Sequence, residues 1–183
     1  MNPGIPQGWA SATLDEVAVW ASGGTPSRSN ANFYSGAIPW FKTGELGPRL
    51  LYESEERISP EALAQSSAKV FPQGAVAIAM YGATIGKTSI LGIDAATNQA
   101  CAVGIPDAVS SEFLYHYLIS QTRNFVEIGK DGAQPNISQG IVKAWPMPGT
   151  PRCPHSPSTA FTVALGVFGP STPRALSPAR KRC

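Results

Sequence analysis

Apolar positions along this chain fall mostly in short solid or alternating runs, and only one stretch sustains a helical period. GAVAIAMYG (74–82), bounded by glycines, predicts a buried strand. GKTSILGI and QACAVGI predict its partners, each rich in β-formers and punctuated by Gly, Pro or Asn. A further strand is expected around Val17–Ala21, broken by Gly23-Gly24-Thr25-Pro26, and another in AIPWFKTGEL (37–46), which runs into a glycine turn. In ISPEALAQSS (58–67), Ser59 is placed to cap a short helix with Pro60 at its first position. The helical pattern is 110–130: Ser110 or Ser111 as cap, Phe113, Leu114, Tyr117, Leu118, Gln121 and Phe125 on one face, Gly129 at the end. A polar loop follows, then a turn of helix capped by Ser138 and a short strand around Val142–Trp145. This order predicts an α+β domain over residues 1–148, with a bent, mostly antiparallel sheet and one main helix.

After Pro148 the pattern stops. Prolines at 151, 154, 157, 170, 173 and 178 remove backbone donors and block helix, so residues 149–183 read as a disordered or weakly ordered tail. Charge divides at the same place. Residues 1–149 hold 9 Lys+Arg against 12 Asp+Glu, a net of −3, while the tail holds 5 Lys+Arg and no acid. The formal net charge of +2 therefore belongs to the tail and says little about what the folded body binds. Composition is globular, 43% hydrophobic and 14% charged, and no apolar run approaches the roughly 20 residues of a membrane span. The opening MNPGIPQGW lacks the basic and apolar regions of a secretory signal. Cys101, Cys153 and Cys183 form no C-x-x-C pair, and His116 and His155 are the only histidines. A cytoplasmic protein with free thiols, no metal and no cofactor is expected, with Cys101 inert in an apolar strand.

MYGATIGKTSILG (80–92) raises a specific question. Gly82, Gly86, Lys87 and Thr88 give G-x-x-x-G-K-T, one residue short of a phosphate-binding P-loop. That loop needs four residues between its glycines and a helix after them, so that free N–H groups converge on a phosphate. Here the spacer is short, and the β-branched, Gly-broken SILGIDAATN follows. The pattern suits a β-hairpin instead: strand 75–81, a Gly-Ala-Thr-Ile-Gly turn, strand 87–93.

Several blocks together carry a resemblance: GWASATLDEVAVWASGGTPSRSNANFYSG, IPWFKTGELG, SSAKVFPQGAVAIAMYGATIGKTSILGIDAATNQACAVGIP, FLYHYLISQ and GKDGAQPNISQGIVKAWPMP, in that order. Over about residues 5–148 the chain resembles a target recognition domain of a type I restriction–modification specificity (S) subunit. The resemblance implies a non-catalytic module that reads double-stranded DNA and directs methyltransferase (M) and restriction (R) subunits. In line with that, the chain has no N/D-P-P-Y/F motif, no H-E-x-x-H and no nuclease acid cluster, PDAVSSE (106–112) being only loosely similar to one. The family continues with a short apolar-proline segment, E-Q and a long spacer helix; here Gly149 begins the Pro/Arg/Ser tail. A frameshift at about 148–150 would produce that change, and it bears on dimerisation and M-subunit docking. Two other readings stand beside the DNA module: a truncated remnant without partners, and a P-loop-like nucleotide-binding protein.

Candidate contacts follow from the chemistry of duplex reading, which needs donors and acceptors at base edges and cations on phosphates. GKDGAQPNIS offers Lys130, Gln134, Asn136 and Ser138, although Asn136 and Ser138 fit equally well as caps of the next turn. Lys42 and Thr43 in WFKTGEL, and Thr25, Ser27 and Arg28 in GGTPSRSN, are further loop candidates, with solvated loop positions as the alternative. Tyr81, Thr84 and Lys87 can reach a phosphate from the hairpin tip, or simply pack there. Trp40, Trp145 and Phe125 are expected in the core.

Overall fold

Val76, Ile78 and Met80 alternate with Ala75, Ala77 and Ala79, and that alternation sorts the core into two sides. The computed structural model describes residues 10–130 and 135–149. Its strands in chain order are β1 (Ala10–Thr13), β2 (Ala18–Ser22), β3 (Ile38–Phe41), β4 (Leu50–Leu51), β5 (Glu56–Ile58), β6 (Val70–Phe71), β7 (Val76–Ala79), β8 (Thr88–Leu91), β9 (Ala95–Thr97), β10 (Cys101–Pro106) and β11 (Pro146–Gly149). The α-helices are α1 (Pro60–Ala64), α2 (Ser111–Gly129) and α3 (Gln139–Lys143). They form a five-stranded sheet β2-β10-β7-β8-β4, a four-stranded sheet β5-β3-β9-β6 and the pair β1-β11. Pairing is antiparallel except for β3–β9 and β4–β8, so the mixed α+β class with antiparallel pairing dominant is what the sequence pattern predicts.

β7 is buried along its whole length. Its larger residues meet Leu114, Leu118 and Phe125 of α2, together with Tyr115. Its alanines face Phe41, Phe71 and Ala95 from the four-stranded sheet. Small side chains on that side let the two sheets approach closely, and Cys101 and Val103 of β10 fill the same layer. A third cluster, Phe33, Trp40, Ile58, Ala62, Ala68 and Ala96, closes the outer face of the four-stranded sheet.

The helix signals operate as expected. Ser59 Oγ accepts from Ala62 N, with Pro60 at the first position of α1. Ser110 Oγ accepts from Phe113 N to start α2, and Ser138 Oγ accepts from Ile141 N to start α3. Three expectations need correction. The strand placed around Val142–Trp145 begins later, at Pro146, because α3 runs to Lys143 and only then does Trp145 O accept from Leu14 N. The inner face of α2 includes Tyr115, while Phe113, Tyr117 and Gln121 are half-buried. Gly129 ends α2 as expected, and a Cβ there would lie 2.8 Å from Ile85 Cδ1, so the position is also closely packed. Trp40 and Phe125 are fully buried, whereas Trp145 is half-buried, its ring centroid 4.4 Å from that of Phe125. The tail expectation for 150–183 lies outside the described residues. No helix among the described residues is long and apolar enough to cross a membrane.

Phe125→Ala removes a ring enclosed by α2, Trp145 and the sheet. It should cost about 3–5 kcal/mol, read as a lowered urea midpoint with unchanged slope; a loss below about 1 kcal/mol would contradict this packing.

Candidate nucleic-acid interface

The near-P-loop is a hairpin tip. β7 and β8 pair antiparallel through Val76↔Ile90, Ala77↔Ser89 and Ile78↔Thr88. Gly82 and Gly86 take φ of 63° and 80°, left-handed values that a side chain disfavours. The backbone amides are consumed by the turn: Gly86 N donates to Ala79 O (3.1 Å), Lys87 N to Thr84 O (2.9 Å) and Ile85 N to Gly82 O (3.3 Å). Thr88 Oγ1 donates to Gly86 O (3.0 Å) and is buried. A strand, not a helix, follows. These donors point into the protein, so the loop does not form a phosphate cradle.

A second segment is zipped onto that tip. Gly82 N donates to Pro135 O (2.9 Å), Ile137 N to Met80 O (2.8 Å) and Asn136 N to Gly129 O (3.1 Å). Tyr81 and Asn136 form an antiparallel bridge, and fully buried Ile137 anchors the segment in the core. The outward side chains are then held in place by backbone pairing. Tyr81 is 45% exposed, and it shares with Gly82, Pro135 and Asn136 an open recess of about 480 Å³. Asn136 is exposed, and its side-chain amide bonds no other described residue. Lys87 and Lys130 are exposed and make no ion pair with a described residue. Ser138 spends its hydroxyl acceptor on the α3 cap, and Thr84 Oγ1 donates to Tyr81 O. Gln134 lies outside the described residues. The structure thus pairs Tyr81 with Asn136, and Lys130 follows Gly129, whose carbonyl accepts from Asn136 N.

Thr25, Arg28, Lys42 and Thr43 gather elsewhere, around β3 and β5. Arg28 forks onto Glu56, Nη1 at 2.5 Å from Oε2 and Nη2 at 3.2 Å from Oε1. Its guanidinium lies 4.1 Å from the Tyr34 ring centroid and 5.2 Å from that of Trp40. Lys42 Nζ meets Glu55 (2.8 Å) and Glu56 (3.0 Å). Lys42 N donates to Glu45 Oε2 (2.7 Å), whose Oε1 accepts from Glu55 N (2.9 Å), so the turn opened by Thr43 is tied to the β4–β5 connection. Thr25 Oγ1 donates to Gln99 Oε1. The Arg28 hydrogen bonds chiefly, then those from Lys42, pull the Glu56 carboxyl down to about 2 against the opposing effect of burial. Lys42 is raised, first by Glu55 and then by Glu56; Arg28 is raised mainly by Glu56.

Sequence reading singled out the cations here but not Glu55, Glu56, Tyr34 or Gln99, since their proximity depends on the β3–β5 pairing. It also passed over Lys69, Gln139 and Lys143, which line an open cleft of about 570 Å³ beside Trp20 and Ser22. There Ser22 Oγ donates to Gln139 Oε1 (3.0 Å), and Lys143 pairs with Asp15 (3.1 Å). Burial pushes the Cys101 thiol up to about 12, which keeps it protonated. Among the described residues no cluster of His, Cys, Asp and Glu could hold a metal ion.

The described residues thus form an α+β fold with a docked hairpin tip and polar side chains presented from its loops. Comparison with known proteins makes the class specific. Residues 6–148 match the family model described as the type I restriction modification DNA specificity domain, and the chain belongs to that family. It is 30% identical over 123 residues to the specificity subunit of the type I restriction enzyme EcoR124I/EcoR124II of Escherichia coli, covering 64% of this chain and 30% of that protein. It is 31% identical over 131 residues to the MjaIX specificity subunit of Methanocaldococcus jannaschii, covering 69% of this chain and 30% of that protein. The chain therefore spans under a third of the curated relatives it matches. Among solved structures, the HsdS subunit from Thermoanaerobacter tengcongensis superposes with a TM-score of 0.64 at 21% identity, over 82% of this chain and 36% of that one. A chain from a study of complex assembly and conformational transition of the type I R-M system superposes with a TM-score of 0.66 at 23% identity, over 83% of this chain and 37% of that one. At these identities the structural likeness is one of fold.

Two outcomes follow from this geometry. The full chain should show no saturable, magnesium-dependent ATP or GTP binding by calorimetry, and Lys87→Ala should change nothing; binding lost in that variant would overturn the hairpin reading. Glu56, held at about 2 against an ordinary 4.5, contributes stability that is complete above pH 4.5 and lost as pH falls towards 2. The thermal-stability gap between the parent and Glu56→Gln should narrow across that window, and a constant gap would contradict the pairing.

Proposed function

We propose that this chain acts as a sequence-reading module for double-stranded DNA, one target recognition domain of a type I specificity subunit. Methyltransferase and restriction subunits would carry out the chemistry, and this chain would be non-catalytic. Family membership over 6–148 supports the assignment. The observation that carries the proposed contact surface is the backbone pairing of the hairpin tip with residues 135–137. It holds Tyr81 and Asn136 outward at fixed register, with Lys87 and Lys130 as exposed cations.

Roles follow from side-chain chemistry. Asn136, and Gln134 in the same loop, can pair bidentately with the adenine edge in the major groove. Lys87 and Lys130 suit phosphates, and Tyr81 and Ser138 can donate to phosphate or sugar oxygens. Thr25, Arg28, Lys42 and Thr43 form a second contact group whose cations already carry internal partners. Because the body is net acidic, attraction to DNA depends on these local groups and affinity of the single domain should be weak. The basic tail adds a sequence-independent attraction that falls as salt rises.

Selection from a pool of random duplexes, with the full chain, Gln134→Ala and Asn136→Ala, tests this reading. Each substitution should cost on the order of 1–3 kcal/mol of discrimination at one or two positions of the selected sequence. If both variants select the parent sequence with undiminished preference, the loop serves the fold and the contact assignment fails.

A further inference from the structure

Arg28 and Lys42 sit on the loops before and after β3, and both are spent on carboxylates. Glu56 is the shared partner: its Oε1 accepts from Arg28 Nη2 and from Lys42 Nζ, while its Oε2 takes Arg28 Nη1. The arrangement is rigidly backed. Glu56 lies on β5 opposite Trp40 of β3, and Ser54 Oγ, which donates to Glu56 O (2.6 Å), accepts from Trp40 N (3.2 Å). Trp40 is buried and donates from Nε1 to Gly24 O (3.0 Å), and Tyr34 OH donates to Pro26 O (2.7 Å). The rings that support the Arg28 guanidinium are thereby fixed. Yet the head groups remain reachable: the side chains of Arg28, Lys42 and Glu56 are 54%, 31% and 27% exposed.

A stacked, forked guanidinium is pre-oriented for a phosphate or for the acceptors of a guanine edge. In the free protein its charge is cancelled. We infer that Glu56 is a specificity-determining residue, an internal counter-anion that withholds Arg28 and Lys42 from DNA in general and releases them only where a well-fitted duplex displaces it. The inference rests on the duplex-reading assignment above. Each phosphate neutralised by a free cation contributes about −0.9 to the slope of log affinity against log salt. Two cations already paired contribute little to loose, sequence-independent encounters. They contribute in a close complex, where a phosphate or base acceptor takes the carboxylate's place and Glu56 turns to solvent. The carboxylate thus acts against the wrong partner more than against the right one, which widens the ratio of specific to non-specific binding.

The decisive measurement is binding of the full chain to a short random-sequence duplex and to its selected sequence, by fluorescence anisotropy across a salt series. Glu56→Gln should tighten non-specific binding several-fold and steepen its salt slope by roughly one phosphate contact, that of Arg28, because Lys42 keeps Glu55 as a partner (2.8 Å). Its preference for the selected sequence should fall correspondingly. Glu61→Gln, the same charge change at a carboxylate bonded to Gln65, should shift affinity by less than about twofold. Adding Arg28→Met and Lys42→Met to Glu56→Gln should abolish the gain. Identical behaviour of Glu56→Gln and Glu61→Gln would overturn the inference. Should circular dichroism show Glu56→Gln unfolded, the Arg28→Met, Lys42→Met double variant decides. Cations withheld by Glu56 predict an unchanged non-specific slope, and a slope reduced by about two contacts would refute it. A parent without any sequence preference fails the duplex-reading assignment; a parent whose preference survives Glu56→Gln intact fails the counter-anion.

Discussion

Enclosure of β7 on both faces is the constraint on which the other parts depend. A strand with one wet face tolerates side chains of many sizes there; β7 has no wet face. Its large residues must fit against α2 and its alanines must leave room for the four-stranded sheet. A one-residue slip would drive Val76, Ile78 and Met80 into the alanine side and leave voids beside the helix. Register is therefore fixed through the hairpin, and with it the position of the tip. Ile137 then pins the 135–137 segment, so the exposed polar groups are located by the core beneath them.

The strands that carry this core were legible because each is a compact apolar run with glycine or proline at its ends. The caps were legible too: Ser59, Ser110 and Ser138 each bond the N–H three residues ahead, a purely local event. Short pairings were not. β4 and β6 have two residues each and β9 has three, too few for any periodicity; β4 forms against β8, β9 against β3, and β6 in turn against β9. Gly129 was legible as the end of α2, but its close approach to Ile85, distant in sequence, was not. On the surface, a lysine or an arginine is visible in sequence while its neutralisation is not. Glu56 reaches Arg28 and Lys42 only through the β3–β5 pairing.

The two polar groups differ in what a ligand would have to do to engage them. Around the hairpin tip, Asn136, Lys87 and Lys130 are solvated, and a partner displaces water alone. Around β3, a partner must also displace carboxylates from a bidentate fork and a lysine bridge. The first kind of surface favours ready association and the second rewards accuracy of fit. With a body carrying more acids than bases, long-range attraction of the proposed duplex would be slight, and these short-range differences would dominate.

The smallest sheet has a consequence for the path of the backbone. β1 and β11 pair antiparallel from Ala10↔Gly149 to Thr13↔Pro146, so the backbone comes in and goes out side by side. This clasp is built into the core, since Met147 of β11 is buried there and Ala12 of β1 packs against it. Pulling the flanks apart would load the clasp one hydrogen bond at a time and unzip it before the β7–β8 hairpin felt tension. Were such a clasp set within a longer polypeptide, the flanking backbone would continue from two adjacent points, whatever the length of chain enclosed between them.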